Sequence, residues 1–236
     1  MNRKSFLFGC LTIVSAALLH SCNKFDHQFP HWKGKAKPDI VYIMSNEAGQ
    51  NKILSYEQRP SGKLEFLHAT NTGGVGSGAG LGSQGSVIID ESGKWLYTVN
   101  AGDNTISAFR ISNDQELSLY QTVNSGGTMP VSLAVFGSLL YVVNGGGNIC
   151  GFHISGEGML EKISGSDKPL SKPDAGPAQI SFMPGGKVLA VTEKNTNAIT
   201  TYLVDDTGKA GDPKTFDAQA ETPFGFAFTF QNKLIV

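Results

Sequence analysis

Glu193 and Lys194 stand side by side at the end of a β-branched, apolar run, Leu189-Ala190-Val191-Thr192, and together they supply two groups that hydrolysis needs. A carboxylate there could take a proton from water, and an ammonium could stabilise an oxyanion. The same two residues also read as a surface ion pair at a turn, which contributes little. Asn46, Asn100 and Asn144 close comparable runs, and Gln84 and Gln179 open others. Asparagine at a strand end serves turn chemistry as readily as ligand binding. Glu193 and Lys194 are thus the candidate catalytic residues, and Asn46, Gln84, Asn100, Asn144 and Gln179 the candidate ligand-binding ones.

Other constellations carry less. Gly80-Leu81-Gly82-Ser83-Gln84-Gly85 spells G-x-G-x-x-G, but Ser86-Val87-Ile88-Ile89-Asp90 follows it as a strand. A dinucleotide needs a helix N-terminus there for its pyrophosphate. The segment reads as an inter-blade connection, with a nest of backbone donors for an anion as the other reading. His27 and His31 are spaced like metal ligands on a helix, yet Pro30 between them breaks that helix. His68 and His153 lie in separate strands, and no Gly-x-Ser-x-Gly elbow occurs. Neither a metal nor any other cofactor is expected.

The residues are positioned by a recurring unit. Trp95-Leu96-Tyr97-Thr98-Val99-Asn100 reaches a Gly-Asp-Asn turn, and Thr105 to Ile111 returns as a second strand. Leu140 to Ile154 and Leu189 to Leu203 repeat this hairpin, Val41 to Asn46 opens an earlier copy, and Leu234-Ile235-Val236 starts a later one. Tyr97, Tyr141, Ala190 and Ile235 occupy one repeat position, at spacings of 44, 49 and 45 residues; 55 residues separate Tyr42 from Tyr97. Such periods, with no helical periodicity anywhere from Asp39 onward, predict four-stranded propeller blades. Lettering each blade's strands A to D, the copies begin near residues 40, 84, 130, 177 and 223, and the first lacks strand A. Up-and-down order puts the D-to-A and B-to-C connections on one side. That side gathers all seven candidate residues around the mouth of a central channel.

The chain has 236 residues, 40% of them hydrophobic and 17% charged, with 29 glycines and a formal net charge of -1. No basic field is available for phosphate backbones, so nucleic-acid binding is excluded as an expectation. Residues 1–22 read as an export signal: Arg3 and Lys4, then an apolar run from Phe6 to Leu19, then Ser21-Cys22. Leu19-His20-Ser21-Cys22 resembles a bacterial lipobox, which implies a diacylated Cys22 and a membrane partner through that lipid. An ordinary cleaved signal is the other reading. Residues 23–38 mix charge, Pro and Gly without periodicity and read as a tether. Cys150 sits alone in a strand as a small buried hydrophobe.

The stretches Gly78 to Gly85, Tyr97 to Arg110, Val191 to Asn197 and Thr222 to Phe228 resemble the lactonase-type seven-bladed propellers, which include 6-phosphogluconolactonase and the carboxymuconate cyclases. The closest resemblance is to an exported branch. It implies an all-β propeller, and here an incomplete open arc of about four blades: three full copies, a first without strand A, and a last that stops at Val236. It also implies a hydrolase of small sugar or muconate-type lactones. Enzymatic relatives often carry Pro-Arg-His at the start of an inner strand, where this chain has Pro130-Val131-Ser132, Pro177-Ala178-Gln179 and Pro223-Phe224-Gly225. A non-catalytic propeller that binds a carbohydrate, peptide or envelope protein is the alternative.

Overall fold

The computed structural model of the chain describes residues 39–229, 231 and 233–236. The expected export signal, Cys22 and the tether lie outside the described residues. Every described regular element is a β-strand, and every ladder is antiparallel between neighbours in sequence order or within one blade.

Blade one holds β1 (Asp39–Met44), β2 (Lys52–Gln58) and β3 (Leu64–Asn71). Blade two runs β4 (Val87–Ile89), β5 (Trp95–Asn100), β6 (Thr105–Ile111) and β7 (Leu117–Asn124). Blade three has β8 (Pro130–Phe136), β9 (Leu139–Asn144) and β10 (Asn148–Ile154), with its outer strand split into β11 (Leu160–Lys162) and β12 (Lys168–Pro169), both paired to β10. Blade four is β13 (Pro177–Phe182), β14 (Val188–Glu193), β15 (Ala198–Leu203) and β16 (Lys214–Asp217). A further pair, β17 (Ala227–Phe228) and β18 (Leu234–Ile235), follows. Among the described residues no ladder joins the first sheet to the last, so the blades form an open arc.

The core lies between blades. In β5 all six residues are buried, because the sheet is covered on both faces. Leu96 and Phe109 turn toward blade one and pack with Ile53, while Trp95, Tyr97 and Val99 turn toward blade three and pack with Leu140, Val142 and Phe152. A third cluster joins blades three and four through Tyr141, Val143, Ile180, Leu189 and Tyr202. Period-two alternation therefore divides each B strand between two neighbours instead of between core and water.

The recurring tyrosine latches each blade to the next. Its phenol reaches the C-to-D turn of the following blade: Tyr42 donates to the Gln115 carbonyl at 2.8 Å, Tyr97 to Gly158 at 3.5 Å and Tyr141 to Gly208 at 2.7 Å. The Tyr141 oxygen also accepts from the Ala210 N–H at 2.8 Å. A buried phenol needs such a partner, and this contact explains the residue type that recurs. Burial raises the pKa of all three, Tyr141 to about 12.

Candidate functional site

Pairing of Thr105 with Asn124 and of Pro130 with Asn144 places the B-to-C and D-to-A connections on one side of the sheets. On that side the inner strands converge. The Leu133 N–H donates to the Gly85 carbonyl at 2.8 Å, and the Ile180 N–H to the buried Ser132 hydroxyl at 3.2 Å.

The glycine-rich segment after β3 crosses this mouth. Gly76 and Gly78 donate to the Glu47 and Asn46 carbonyls of blade one at 2.9 Å each. Farther along, the Ser83 hydroxyl donates to the Val131 carbonyl of blade three at 2.9 Å, and the Gln84 N–H to Ala178 of blade four at 2.9 Å. Gly78, Gly82 and Gly85 take φ of 70°, 58° and 73°, a left-handed conformation that glycine adopts without strain. No helix follows, so the G-x-G-x-x-G string has no dinucleotide geometry.

Three of the expected residues reach neighbouring positions of one segment on this side, Phe224, Gly225 and Phe226. Lys194 Nζ donates to the Gly82 carbonyl and, at 3.4 Å, to that of Pro177, and lies 5.4 Å from the centroid of the Phe224 ring. Partial burial lowers its pKa. Gln179 pairs its carboxamide with the Phe226 backbone like a short peptide ladder, donating to the carbonyl at 3.1 Å and accepting from the N–H at 2.9 Å. The Gln84 side chain packs on Gly225, where an added Cβ would meet its Nε2 at 2.5 Å. An ammonium has three donors, and two of Lys194's go to carbonyls. The third, with the second Nε2 hydrogen of Gln179 and the exposed Gln84 amide, leaves a donor-rich surface suited to an oxygen-rich or anionic ligand.

Of the other four, Glu193, Asn100 and Asn144 are fully buried, and Asn46 braces the glycine-rich segment. Glu193 does not face the mouth and forms no ion pair with Lys194. Glu193 is the last residue of β14, whose two faces are both covered, whereas Lys194 already lies in the turn beyond it. The Glu193 carboxylate is fully buried between blades three and four. Oε1 accepts from the Ser171 N–H at 3.1 Å and the Thr200 hydroxyl at 2.6 Å, and Oε2 from the Thr196 hydroxyl at 2.8 Å and the Ser171 hydroxyl. With every lone pair engaged, it has none to take a proton from water. Its charge adds to burial in raising the pKa of Tyr202.

Asn100 is the same device in neutral form. Its Oδ1 accepts from Asn51 Nδ2 at 2.9 Å and the Thr72 hydroxyl at 2.7 Å in blade one, and its Nδ2 donates to Thr105 at 3.0 Å and Ser107 at 2.8 Å in its own blade. Asn144 takes this position in blade three, but Cys150 stands where Ser107 would, and both polar atoms of the buried Asn144 carboxamide lack a partner among the described residues. Gly127 lets the carboxamide in, since a Cβ there would come within 2.6 Å of its Cγ. Asn46 is out of register. Met44 pairs with Ile53 as Val99 pairs with Ile106, so Ser45 takes the repeat position of Asn100. Asn46, at φ 55°, instead holds the glycine-rich segment through Ser77 and the Ala79 carbonyl at 2.7 and 2.6 Å.

Sequence reasoning missed the partners of these clamps. Asn71-Thr72-Gly73-Gly74 and Asn124-Ser125-Gly126-Gly127 are copies of one turn that receives Asn100 and Asn144, and that repetition was the available signal. Asn104 and Asn197, both at positive φ, likewise accept from the N–H groups of Met129 and Thr222 at 2.7 and 2.8 Å, just before Pro130 and Pro223.

Antiparallel blades ranged around convergent inner strands, latched from one to the next, define a β-propeller. A family model described as lactonase, seven-bladed β-propeller, matches residues 30–167, more than half of the chain, and the chain belongs to that family. Among solved structures it is similar to a candidate 6-phosphogluconolactonase of Bacteroides uniformis, at 19% identity and a TM-score of 0.64 over 83% of this chain and 60% of that one. It is also similar to the periplasmic gluconolactonase PpgL of Pseudomonas aeruginosa, at 17% identity and 0.60 over 82% and 57%. Hydrazine synthase of Kuenenia stuttgartiensis matches at 16% identity and 0.53 over 87% and 56%. The chain thus spans about 60% of the length of these structures, and the likeness is one of fold. No curated protein sequence matched.

Proposed function

We propose that this lactonase-family propeller takes a small sugar or muconate-type lactone, or the hydroxy acid it opens to, at the mouth occupied by Gln84, Gln179 and Lys194. The observation that carries the reading is the Lys194 ammonium, fixed by two carbonyls and the Phe224 ring with one N–H left to donate. In hydrolysis, water adds to the lactone carbonyl carbon and gives a proton to solvent, the carbonyl oxygen becomes an oxyanion, and its collapse breaks the ring C–O bond, the departing alkoxide taking a proton from solvent to give a hydroxy acid. A preorganised ammonium stabilises that oxyanion and then the product carboxylate. The two glutamine amides serve the hydroxyls. A pH-stat screen of the purified chain against sugar lactones and muconolactone tests this: acid release above the uncatalysed rate is expected for at least one.

A non-catalytic binding module is the second reading, favoured by the burial of Glu193, which leaves the mouth without its expected base. Saturable binding of hydroxy acids with no lactone hydrolysis would select it. We also propose that the chain is exported and held in the bacterial envelope by lipid on Cys22, a reading supported by Arg3, Lys4, the apolar run and Ser21-Cys22. Cys22→Ala should move the protein from the membrane to the soluble fraction. Identical partitioning of variant and parent would refute the anchor.

A further inference from the structure

On the side opposite the mouth, blades two and three enclose a cleft of about 500 Å³ between the start of β5, the β6–β7 turn and the β10–β11 turn. Trp95 forms its floor. The indole is backed by Gly158, where any Cβ would overlap the ring, and meets Tyr120 edge-on at 5.2 Å. Tyr120 is 44% exposed and donates its phenol to Glu157 at 3.3 Å. The indole N–H has no acceptor among the described residues, yet it is not one of the atoms sealed from solvent without a partner. Lys94 and Arg110 line the same cleft, and neither forms an ion pair among the described residues.

The internal repeat provides a control for what the fold itself requires here. Arg110 pairs with Trp95 across β5 and β6, and the equivalent pairs are Ile40 with Glu57, Leu139 with His153, and Val188 with Leu203. At the next interface Leu139 packs against Gly208 as Trp95 packs against Gly158, with the edge of the His153 ring beside it. A leucine and an imidazole edge meet the packing requirement there, so the larger indole and the guanidinium exceed it.

We propose that this cleft binds an acidic sugar, a pyranose carrying one carboxylate. The half-exposed Tyr120 ring offers an apolar surface to one face of the pyranose, with the largely buried indole set at 67° to it, and the indole N–H and Glu157 offer a donor and an acceptor for the sugar hydroxyls. Arg110 and Lys94 take the carboxylate, the guanidinium by paired N–H donors. Two cations against the single Glu157 carboxylate leave a net charge of about +1, which matches a monoanion better than a phosphate dianion.

The chain has two tryptophans, Trp32 and Trp95, so in a Trp32→Phe background indole fluorescence reports Trp95 alone. Titration with glucuronate should give a saturable change, with glucose and glucose 6-phosphate at least ~10-fold weaker. Arg110→Ala should weaken glucuronate by ~10-fold or more with an unchanged melting temperature, and Lys194→Met at the opposite mouth should leave it unaltered. No saturable response to glucuronate, equal affinity for glucose, or full affinity in Arg110→Ala would overturn the assignment, as would loss of binding in Lys194→Met.

Discussion

Replacing Glu193 separates a clamp from a catalyst. In Glu193→Gln one carboxylate oxygen becomes an NH2. The retained oxygen can still accept from the Ser171 N–H and from Thr200, while the NH2 faces the Ser171 and Thr196 hydroxyls, which can rotate to accept. The loss is the difference between charge-assisted and neutral bonds, about 1 kcal/mol. Glu193→Ala is harsher. Thr200 can still turn to Thr215, 3.0 Å away, and Ser171 to Thr196 at 3.3 Å. The Ser171 N–H has no such recourse, and the missing side chain leaves a gap between blades. An orphaned donor costs about 1–3 kcal/mol, and the gap raises the total to about 3 kcal/mol. For a chain of this size that is a fall in melting temperature on the order of 10 °C, and about 3 °C for the glutamine variant. Urea titration with circular dichroism measures both. An alanine variant within about 0.5 kcal/mol of the parent would refute the account of Glu193 as an inter-blade clamp.

Cys150→Ser should stabilise the fold by about 1 kcal/mol, because serine restores the acceptor that Ser107 gives Asn100 and relieves the unpaired Asn144 amide, offset by the loss of buried sulfur; a lower urea midpoint would contradict this. Burial pushes the Cys150 thiol up to about 12, so a thiol reagent at pH 8 should label it only after unfolding. Burial pushes the Tyr141 phenol up to about 12 from an ordinary value near 10. The raised value means that its contribution to stability is complete below pH 10 and lost as pH climbs from 10 to 12, measurable as a falling urea midpoint across that window.

The fold was legible because the period and the strand alternation are local. Val188 to Glu193 reads as a strand from sequence and is β14, and Pro130 and Pro177 open inner strands as their position predicts. Pro223 does not begin its strand: β17 starts at Ala227, paired with Ile235, and before it Phe226 bonds to the Gln179 carboxamide and Phe224 to the Thr192 hydroxyl. For the candidate site, strand order alone puts the segments of Lys194, Gln84 and Gln179 on one side of the sheets, and the ladders have them there, since that follows from topology. The burial of Glu193 depends on Ser171, 22 residues earlier in another blade's loop, and nothing near Glu193 announces it. Asn46 misleads for a simpler reason, one residue of register, which in a strand reverses the side a residue faces.

The most direct test of the account is kcat/KM for lactone hydrolysis in the parent, Lys194→Met and Glu193→Gln, compared well below the melting temperature of each. Lys194→Met should lose about 100-fold, the magnitude expected for one oxyanion donor, with its fold intact, and Glu193→Gln should stay within about threefold of the parent. Full activity in Lys194→Met, or a 100-fold loss in a folded Glu193→Gln, would contradict it.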